Sequence, residues 1–507
     1  MHDVKIIADL KDNEQYRVAV LEDGKLAEIF IEYSFDDDLL CPHSFNSRQT
    51  RQGDIFKARI DKIVPAISAA FVILSSKSSN EPRNAFLYIE EGTDIKPGNE
   101  VLVQVIKNER KNKAPRVSTR LAIPGRWLVL VPDSDELGVS RRITDNHERR
   151  RLKEIGDELR AETPGFGVII RTAAEGISKE LLRADMNSLL SLWHDIKAKA
   201  KNSPSPCLLY RDTGILGRVL RDEVAGSIDE IIIDEPEEFS GTKSLVDRFY
   251  PEKPEVVLYT GNTPIFEYFG IEQEIQKAID RKVWLRSGAY LIFDQTEAMT
   301  VIDVNTGKFT SAPDMRHTTL ATNLEAAEEI ARQLRLRAIG GIVIVDFIDM
   351  DNQQDKQELV SHLEKCLEKD RQKARVYSIT RLGLVEITRK RERPDLKSVL
   401  TRNCPVCIDN GFVEREENIA MTVKRFIRKI TANNNAQAFI VQTNPFIASY
   451  IYHYLEEWER EFGRKLFIAA MNDFEHDKFR LDFQGSICDA EAEARSLRQQ
   501  KAIVYRI

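Results

Sequence analysis

One segment constrains the fold more than any other, because residues 299–348 contain two strand patterns around a helix pattern. The apolar runs at 299–303 and 342–348 flank residues 320–337. The apolar positions of the middle part recur at helical spacing and would form one face: Leu324, Ala327, Ala331 and Leu334. A strand, a helix and a strand in this order favour a parallel pair joined by a right-handed crossover.

Each of the two apolar runs carries a carboxylate. Asp303 ends the first run, and Asp346 lies late in the second. The carboxyl ends of neighbouring parallel strands meet at one crevice, so the two side chains are expected to converge. Burial of an unpaired carboxylate is costly, and a divalent cation is one suitable partner. Magnesium prefers one or two carboxylates, with water and phosphate oxygens as its other ligands.

Asn305 strengthens this hypothesis. Strand alternation places it on the same side as Asp303, where its amide could orient a carboxylate or a metal-bound water. Either aspartate alone is better explained by a strand end that caps a turn, with Gly307 as the turn residue. The pair, taken together with Asn305, favours a metal site.

The rest of the chain predicts an α/β protein of several domains. Its 507 residues suggest roughly three or four folded units. Residues 15–34 have the pattern of a hairpin that turns at Asp23 and Gly24. Several short strands between 45 and 118 are typical of a small barrel. Strands and helices mix between 119 and 280, and a last α/β unit follows residue 416.

The distribution of charge matters more than its sum. A net charge of −7 argues against a protein that coats nucleic acid. Two dense basic stretches, at 141–153 and 371–393, fit local polyanion sites, although solvated surface is the alternative. No stretch approaches the roughly 20 apolar residues of a membrane helix, and early acidic residues argue against a signal peptide. We expect no membrane span and a cytoplasmic location.

The six cysteines fall into two groups. Four are scattered and are predicted to be buried thiols: Cys41, Cys207, Cys366 and Cys488. Cys404 and Cys407 have the spacing of a zinc knuckle. A structural zinc usually takes four ligands, so this knuckle is half of a site. The same knuckle from a second chain would complete it in a twofold dimer. A redox pair and a degenerate knuckle are the alternatives.

The motifs of the chain resemble those of the ribonuclease E/G family, in the same order and over nearly the whole length. The segments that carry the resemblance are 167–173, 300–309, 323–327, 340–350, 381–389 and the knuckle at 404–407. The resemblance is to the shorter members, without a long C-terminal scaffold. It implies the following domains: a ribonuclease-H-like domain (1–44 and 119–280), an inserted OB-fold RNA-binding domain (45–118), a deoxyribonuclease-I-like catalytic domain (281–400), a zinc-link (401–415) and a small α/β domain for oligomerisation (416–507).

The resemblance also implies roles for individual residues. Asp303 and Asp346 match magnesium ligands, and Asn305 matches their supporting amide. Phe71 and Phe86 match aromatic residues that stack on bases, and Lys113 matches a cation that contacts the RNA backbone. Barrel core is the alternative for both phenylalanines. The residues that match a pocket for a 5′ monophosphate are Gly125, Val129, Arg141, Arg171 and Thr172, with Lys373 at a position usually filled by arginine.

The activity implied by the resemblance is magnesium-dependent endonucleolytic cleavage of single-stranded, A/U-rich RNA. Such cleavage would leave 5′ phosphates and favour 5′-monophosphorylated substrates, in rRNA and tRNA processing and mRNA decay. It would occur in a homodimer linked by shared zinc, or in a homotetramer. The chain departs from the family at a longer loop over 75–83 and at Asp409, which is usually glycine. The rival hypotheses are a non-catalytic RNA-binding scaffold and a metal-dependent phosphatase or DNase.

Overall fold

The computed structural model describes most of the chain. The described residues are 3–12, 14–33, 52–75, 83–89, 96–107, 114–224, 227–250, 252–307, 315–368, 370–372, 374–403, 412–471, 474–475, 478–499 and 502–505. Predictions for Cys41, Lys113, Lys373, the knuckle with Asp409, and residues 76–82 therefore lie outside the described residues. The chain divides into two compact units: the first has residues 1–32, 228–236 and 257–507, and the second has residues 33–227 and 237–256.

The described residues form strands and α-helices throughout the chain. The strands are β1 (Val4–Asp9), β2 (Gln15–Glu22), β3 (Lys25–Tyr33), β4 (Ile55–Val64), β5 (Ala69–Ser75), β6 (Arg83–Tyr88), β7 (Glu100–Lys107), β8 (Arg116–Ser118), β9 (Ile123–Pro124), β10 (Leu128–Pro132), β11 (Leu137–Val139), β12 (Phe166–Ile170), β13 (Cys207–Tyr210), β14 (Glu230–Ile233), β15 (Glu255–Leu258), β16 (Lys282–Trp284), β17 (Tyr290–Gln295), β18 (Met299–Asn305), β19 (Gly341–Asp346), β20 (Arg375–Ile379), β21 (Val385–Arg389), β22 (Thr401–Asn403), β23 (Phe412–Glu414), β24 (Ala438–Thr443), β25 (Lys465–Ala470), β26 (Phe479–Gly485) and β27 (Ile503–Tyr505). The helices are α1 (Asn146–Glu162), α2 (Lys179–Asn202), α3 (Ile215–Arg218), α4 (Pro236–Phe249), α5 (Ile265–Tyr268), α6 (Ile271–Ile279), α7 (Met315–Leu336), α8 (Gln353–Leu367), α9 (Leu396–Leu400), α10 (Glu416–Asn433), α11 (Pro445–Phe462) and α12 (Ile487–Gln499).

The N-terminal strands belong to a five-stranded sheet with the order β15-β14-β1-β2-β3. Strand β1 pairs in parallel with β14 and antiparallel with β2. The turn between β2 and β3 has positive φ angles at Asp23 (50°) and Gly24 (72°). Positive φ at both central residues is what a two-residue hairpin turn requires, and Asp and Gly tolerate it best. The predicted hairpin is therefore confirmed.

The second unit contains a closed five-stranded β-barrel. Its strands follow the order β4-β5-β6-β8-β7, and pairing of β4 with β7 closes the ring. Strand β13 pairs with the first residues of β4, Ile55–Lys57. Alternate residues of these strands fill the interior, among them Ala58, Ile60, Val72, Leu87 and Val105. The barrel confirms the prediction of a small OB-like barrel in this part of the chain.

A six-stranded sheet forms the centre of the first unit, with the order β16-β17-β18-β19-β21-β20. Strands β18 and β19 are parallel, and α7 connects them, as the sequence predicts. One face of this sheet packs against α7 and α8. The core residues there include Ile302 and Val345 of the strands, with Ile330, Leu334 and Leu363 of the two helices.

The C-terminal part forms a four-stranded sheet with the order β26-β24-β25-β27. Helix α12 packs on it through Ala490, Ala494 and Leu497. Cys488 lies on α12 and is exposed, so the prediction of a buried thiol was wrong there, and Cys207 and Cys366 are only partly buried. Among the described residues, every helix is too short or too polar to span a membrane.

Candidate active site

Asp303 and Asp346 lie side by side on two parallel strands. They are partners in the register of β18 and β19, so their Cα atoms are neighbours across the sheet. Adjacent strands are about 4.8 Å apart, which brings the two carboxylates within reach of a single ion. Asn305 donates a hydrogen bond from Nδ2 to Oδ2 of Asp303 over 2.6 Å. The three predicted residues are therefore together on one face.

That face of the sheet is open. Ile302 and Val304 point into the core, whereas Asp303 between them is exposed. The same alternation leaves Asp346 exposed after the buried Val345. The argument that these aspartates are buried in apolar runs was therefore wrong. The physical reason is that the helices among the described residues pack on one face of this sheet, so an unbroken apolar run does not imply burial on both sides.

Asp349 adds a third negative charge that the sequence reasoning missed. The pKa of Asp346 is raised by partial burial first, and then by the charges of Asp303 and Asp349. A bound cation would relieve this repulsion. Among the described residues, no three His, Cys, Asp or Glu side chains are grouped closely enough to hold a metal ion. The residues present fit magnesium, which uses one or two carboxylates and completes its shell with water and substrate oxygens.

The loop after β19 is held by a buried amide of α7. Asn323 donates from Nδ2 to the carbonyl of Ile348 (2.8 Å) and accepts from its N–H (3.0 Å). Both backbone groups of Ile348 are thereby satisfied, which positions the segment between Asp346 and Asp349. Asn323 lies in the 323–327 motif, to which the sequence reasoning gave no role.

A second contact of α7 holds the loop before β17. The carboxylate of Glu325 accepts from the N–H of Arg286 (2.7 Å) and of Ser287 (3.3 Å). This loop lies against the turn after Asn305. A Cβ on Gly307, whose φ is +65°, would be 2.2 Å from the carbonyl oxygen of Gly288. Only glycine fits there, so α7 braces both loops that border the carboxylates.

Two aromatic residues lie on the outer face of the barrel. Phe71 and Phe86 are cross-strand partners, and their ring centroids are 5.7 Å apart. Their neighbours Val72 and Leu87 are in the core, so barrel core is the wrong interpretation for the two phenylalanines. Tyr88, two residues after Phe86, continues the row with centroids 4.9 Å apart. Strand alternation could have predicted this third ring.

Arg171 and the other described residues of the predicted phosphate pocket lie in the second unit. Arg171 donates from Nη1 to the carbonyl of Gly125 (2.7 Å), and its Nη2 is 2.5 Å from Oδ1 of Asp222. The hydroxyl of Thr172 is 2.9 Å from that of Ser140. Asp222 was missed because it is about fifty residues away and no local motif marks it.

The other pocket residues lie on or beside the same small sheet. Val129 on β10 is the register partner of Ile169 on β12, two residues before Arg171. Arg141 is exposed and follows Ser140. Gly125 cannot carry a side chain, because a Cβ there would lie 2.5 Å from the carboxylate oxygens of Asp185. Five of the six predicted pocket residues are thus among the described residues, and the sixth, Lys373, lies outside them.

An OB-like barrel and an exposed carboxylate pair on an α/β sheet in one chain are compatible with an enzyme that acts on nucleic acids. Comparison with known proteins specifies the class. Residues 122–392 match the model of the Ribonuclease E/G family. Ribonuclease G of Haemophilus influenzae is 34% identical over 94% of this chain and 99% of its own. Ribonuclease G of Escherichia coli K12 is 34% identical over 91% of this chain and 96% of its own.

Ribonuclease E of Haemophilus influenzae is 33% identical over 88% of this chain, but only 48% of that longer protein is covered. The chain belongs to the ribonuclease E/G family, which confirms the resemblance inferred from its motifs. It is similar to ribonuclease G over nearly its full length, and the prediction of an endoribonuclease is confirmed with the family.

Proposed function

We propose that this chain is a magnesium-dependent endoribonuclease that cleaves single-stranded RNA, with Asp303 and Asp346 as catalytic residues. The observation that supports this most directly is the register pairing of the two aspartates on the open sheet face, with the amide of Asn305 on Asp303. An open face admits a polymer, whereas a closed pocket would admit only a small substrate.

In this mechanism, Asp303 and Asp346 hold the ion. When bound, magnesium would activate water as the nucleophile and stabilise the charge that develops on the phosphate. Asn305 keeps one carboxylate oxygen of Asp303 engaged, so that the other stays available as a ligand. The α7 contacts to both loops hold the carboxylates in place before substrate arrives. Attack of water on phosphorus in line with the 3′ oxygen would break the P–O3′ bond. The downstream fragment would keep a 5′ phosphate, and the upstream fragment would leave with a 3′ hydroxyl.

The proposed substrate is single-stranded, A/U-rich RNA. The outward rings of Phe71 and Phe86, with Lys113 as a backbone contact, would stack on bases with little sequence selectivity. Arg171 and Thr172 would bind a 5′ monophosphate, since a guanidinium and a hydroxyl suit its oxygens. The relatives named ribonuclease G and ribonuclease E support an enzyme of RNA processing. The finer role proposed here is rRNA and tRNA processing and mRNA decay in the cytoplasm.

The proposed assembly is a homodimer linked by one zinc ion, to which each chain contributes Cys404 and Cys407. The small domain at 416–507 would pair two such dimers into a tetramer. The division into ribonuclease-H-like, OB-fold, deoxyribonuclease-I-like, zinc-link and small domains, at the boundaries predicted from the sequence, belongs to the same proposal. Light scattering tests the assembly: the double Cys→Ser variant should have half the mass of the wild-type assembly, and an unchanged mass would contradict the zinc link.

The decisive experiment compares matched RNA and DNA oligonucleotides, with magnesium or with EDTA. We expect cleavage of RNA with magnesium alone, faster for 5′-monophosphate than for 5′-hydroxyl RNA, and none by the Asp303→Asn variant. Cleavage of DNA at a similar rate would favour a general nuclease, and binding without cleavage would favour a scaffold protein. If the Asp303→Asn variant cleaves RNA at the wild-type rate, the assignment of the catalytic pair is wrong.

A further inference from the structure

We infer that Lys282, Trp284 and Tyr290 form a base-stacking site for the RNA strand beside the catalytic carboxylates. These three residues are called the Trp284 platform below. The inference rests on the proposed function, because it assumes that RNA lies across the open face. It assigns a binding site within the catalytic sheet itself, separate from the aromatic residues of the barrel.

The strand register places the platform on the catalytic face. Tyr290 of β17 is the partner of Asn305, and Trp284 of β16 is the partner of Tyr290. Partners across antiparallel strands point to the same side, so all three share the face that carries Asp303. Strands about 4.8 Å apart put Trp284 two strands, or roughly 10 Å, from Asn305. One bound strand can therefore contact both.

The register of the same three strands also places the ammonium group of Lys282 on this face. Ile292 is the partner of Asp303, and Lys282 is the partner of Ile292. The opposite face of this hairpin is core, where Leu291 and Phe293 are buried. The ammonium of Lys282 lies 3.7 Å from the ring centroids of both Trp284 and Tyr290. A positive charge is thus adjacent to two aromatic rings and near the proposed catalytic site.

The exposure of Trp284 is the feature that packing does not explain. Its side chain is 64% exposed, although it contacts Tyr290 at a centroid distance of 5.3 Å and Lys282. Cross-strand contacts stabilise the hairpin of β16 and β17, but they do not require the indole ring to be exposed to solvent. An exposed aromatic ring with an adjacent cation is the arrangement that binds single-stranded nucleic acid, by stacking and by charge. The ammonium of Lys282 favours a polyanion over an apolar protein surface. Because the proposed catalytic carboxylates are nearby, the polyanion expected at this position is the RNA substrate.

Tryptophan fluorescence provides a direct test. The chain has four tryptophans, and Trp127, Trp193 and Trp458 are each no more than 5% exposed. The Asp303→Asn variant is titrated with a 5′-hydroxyl single-stranded RNA oligonucleotide in the presence of magnesium. We expect the emission of Trp284 to be quenched as a base stacks on it. Adding Trp284→Phe should abolish the quenching but retain most of the affinity, because phenylalanine also stacks.

Affinity measurements separate binding from folding. In the same Asp303→Asn background, Trp284→Ala should raise the dissociation constant for RNA by about 5- to 150-fold, the range expected for one lost base stack. Lys282→Met should reduce the salt dependence of binding. Tyr268→Ala is the matched control, because Tyr268 is also 64% exposed but lies on α5, outside the catalytic sheet. It should change neither quantity, and every variant should show the same number of melting transitions as its parent.

The inference is overturned if saturating RNA leaves the tryptophan emission unchanged, or if the quenching persists after Trp284→Phe. It is also overturned if Trp284→Ala binds RNA like its parent, whether or not its melting temperature falls. These outcomes are distinct from failure of the proposed function. Cleavage by Asp303→Asn would refute the catalytic assignment, whereas the fluorescence and affinity results concern binding alone.

Discussion

The guanidinium of Arg171 is shared between two acceptors, the carbonyl of Gly125 and the carboxylate of Asp222. A phosphate bound to Arg171 would meet the negative charge of Asp222, which also accepts hydrogen bonds from Arg221. In the proposed pocket, Asp222 therefore competes with the 5′ phosphate for the same cation. The pKa of Asp222 is lowered overall: burial acts to raise it, but the guanidinium groups of Arg221 and Arg171 outweigh burial.

The first prediction follows from this competition. Asp222→Asn should raise the preference for 5′-monophosphate over 5′-hydroxyl RNA by about tenfold, which corresponds to about 1.4 kcal/mol. The amide keeps the shape of the side chain, and Arg221 keeps its ion pair with Asp212 at 3.1 Å. The measurement is the ratio of kcat/KM for the two RNAs. Arg171→Ala should lower that ratio towards one, and an unchanged ratio in Asp222→Asn would exclude the competition.

The second prediction concerns Asn323, which holds both backbone groups of Ile348. Asn323→Ala leaves them unpaired, so the free energy of unfolding should fall by about 1–3 kcal/mol. The loop that carries Asp349 would also loosen, and kcat should fall by about 10- to 100-fold at saturating magnesium. Thr322→Ala is the matched control, since the hydroxyl of Thr322 donates to the carbonyl of Thr318 within α7. Equal kcat values for the two variants would rule out a positioning role.

The third prediction is a pH dependence of stability that comes from Asp234, at the end of β14. Burial, followed by the charge of Asp9, raises the pKa of Asp234 to about 8. A carboxyl group with a raised folded-state pKa stabilises the fold in its protonated form. That stabilisation is complete below pH 4 and is lost as the pH rises through 8, by up to about 1.4 kcal/mol per pH unit.

Asp234→Asn should therefore flatten this dependence, and the variant should be more stable than wild type at pH 9. The amide stays neutral and can still accept the hydrogen bond from the N–H of Leu10, which the carboxylate accepts over 2.8 Å. Urea unfolding between pH 5 and pH 9 measures the difference. If both proteins lose stability in parallel between pH 6 and pH 9, another group is responsible.

The fourth prediction concerns a buried cation in the first unit. Lys424 on α10 is fully buried and forms ion pairs with Glu14 and with Glu461 (3.0 Å). Lys424→Ala would leave the buried carboxylate of Glu14 without its cation, so the free energy of unfolding should fall by about 3–5 kcal/mol. Lys429→Ala on the same helix breaks a largely exposed pair with Glu267 and should cost less than about 1 kcal/mol. Chemical denaturation of both variants checks the difference, and similar losses would contradict it.

Much of the catalytic pair was predictable from the sequence. The apolar runs that end near Asp303 and Asp346 have strand length, and the amphipathic segment between them has the length of a crossover helix. Alternation along a strand then assigned Asn305 to the side of Asp303. The conclusion about burial failed because periodicity within a strand does not reveal which sheet face the helices cover.

Other residues were beyond the reach of local patterns. Trp284 joins the catalytic face only through two successive registers, from β16 to β17 and from β17 to β18. Asp222 reaches Arg171 across about fifty residues of chain. Contacts of this kind depend on how separate elements pack, and a single sequence does not carry that information in its periodicity.

For this protein, the amino-acid sequence by itself determined the βαβ unit, the small barrel, the hairpin at Asp23 and the convergence of the two aspartates. These features follow from interactions between near neighbours, such as the spacing of apolar residues and the backbone freedom of turn residues. Only the tertiary structure decided that Asp303 and Asp346 face an open surface, that Phe71 and Phe86 point outward, and that Trp284 stands beside the site. Exposure is set by which elements pack against a face, and that is a property of the whole fold.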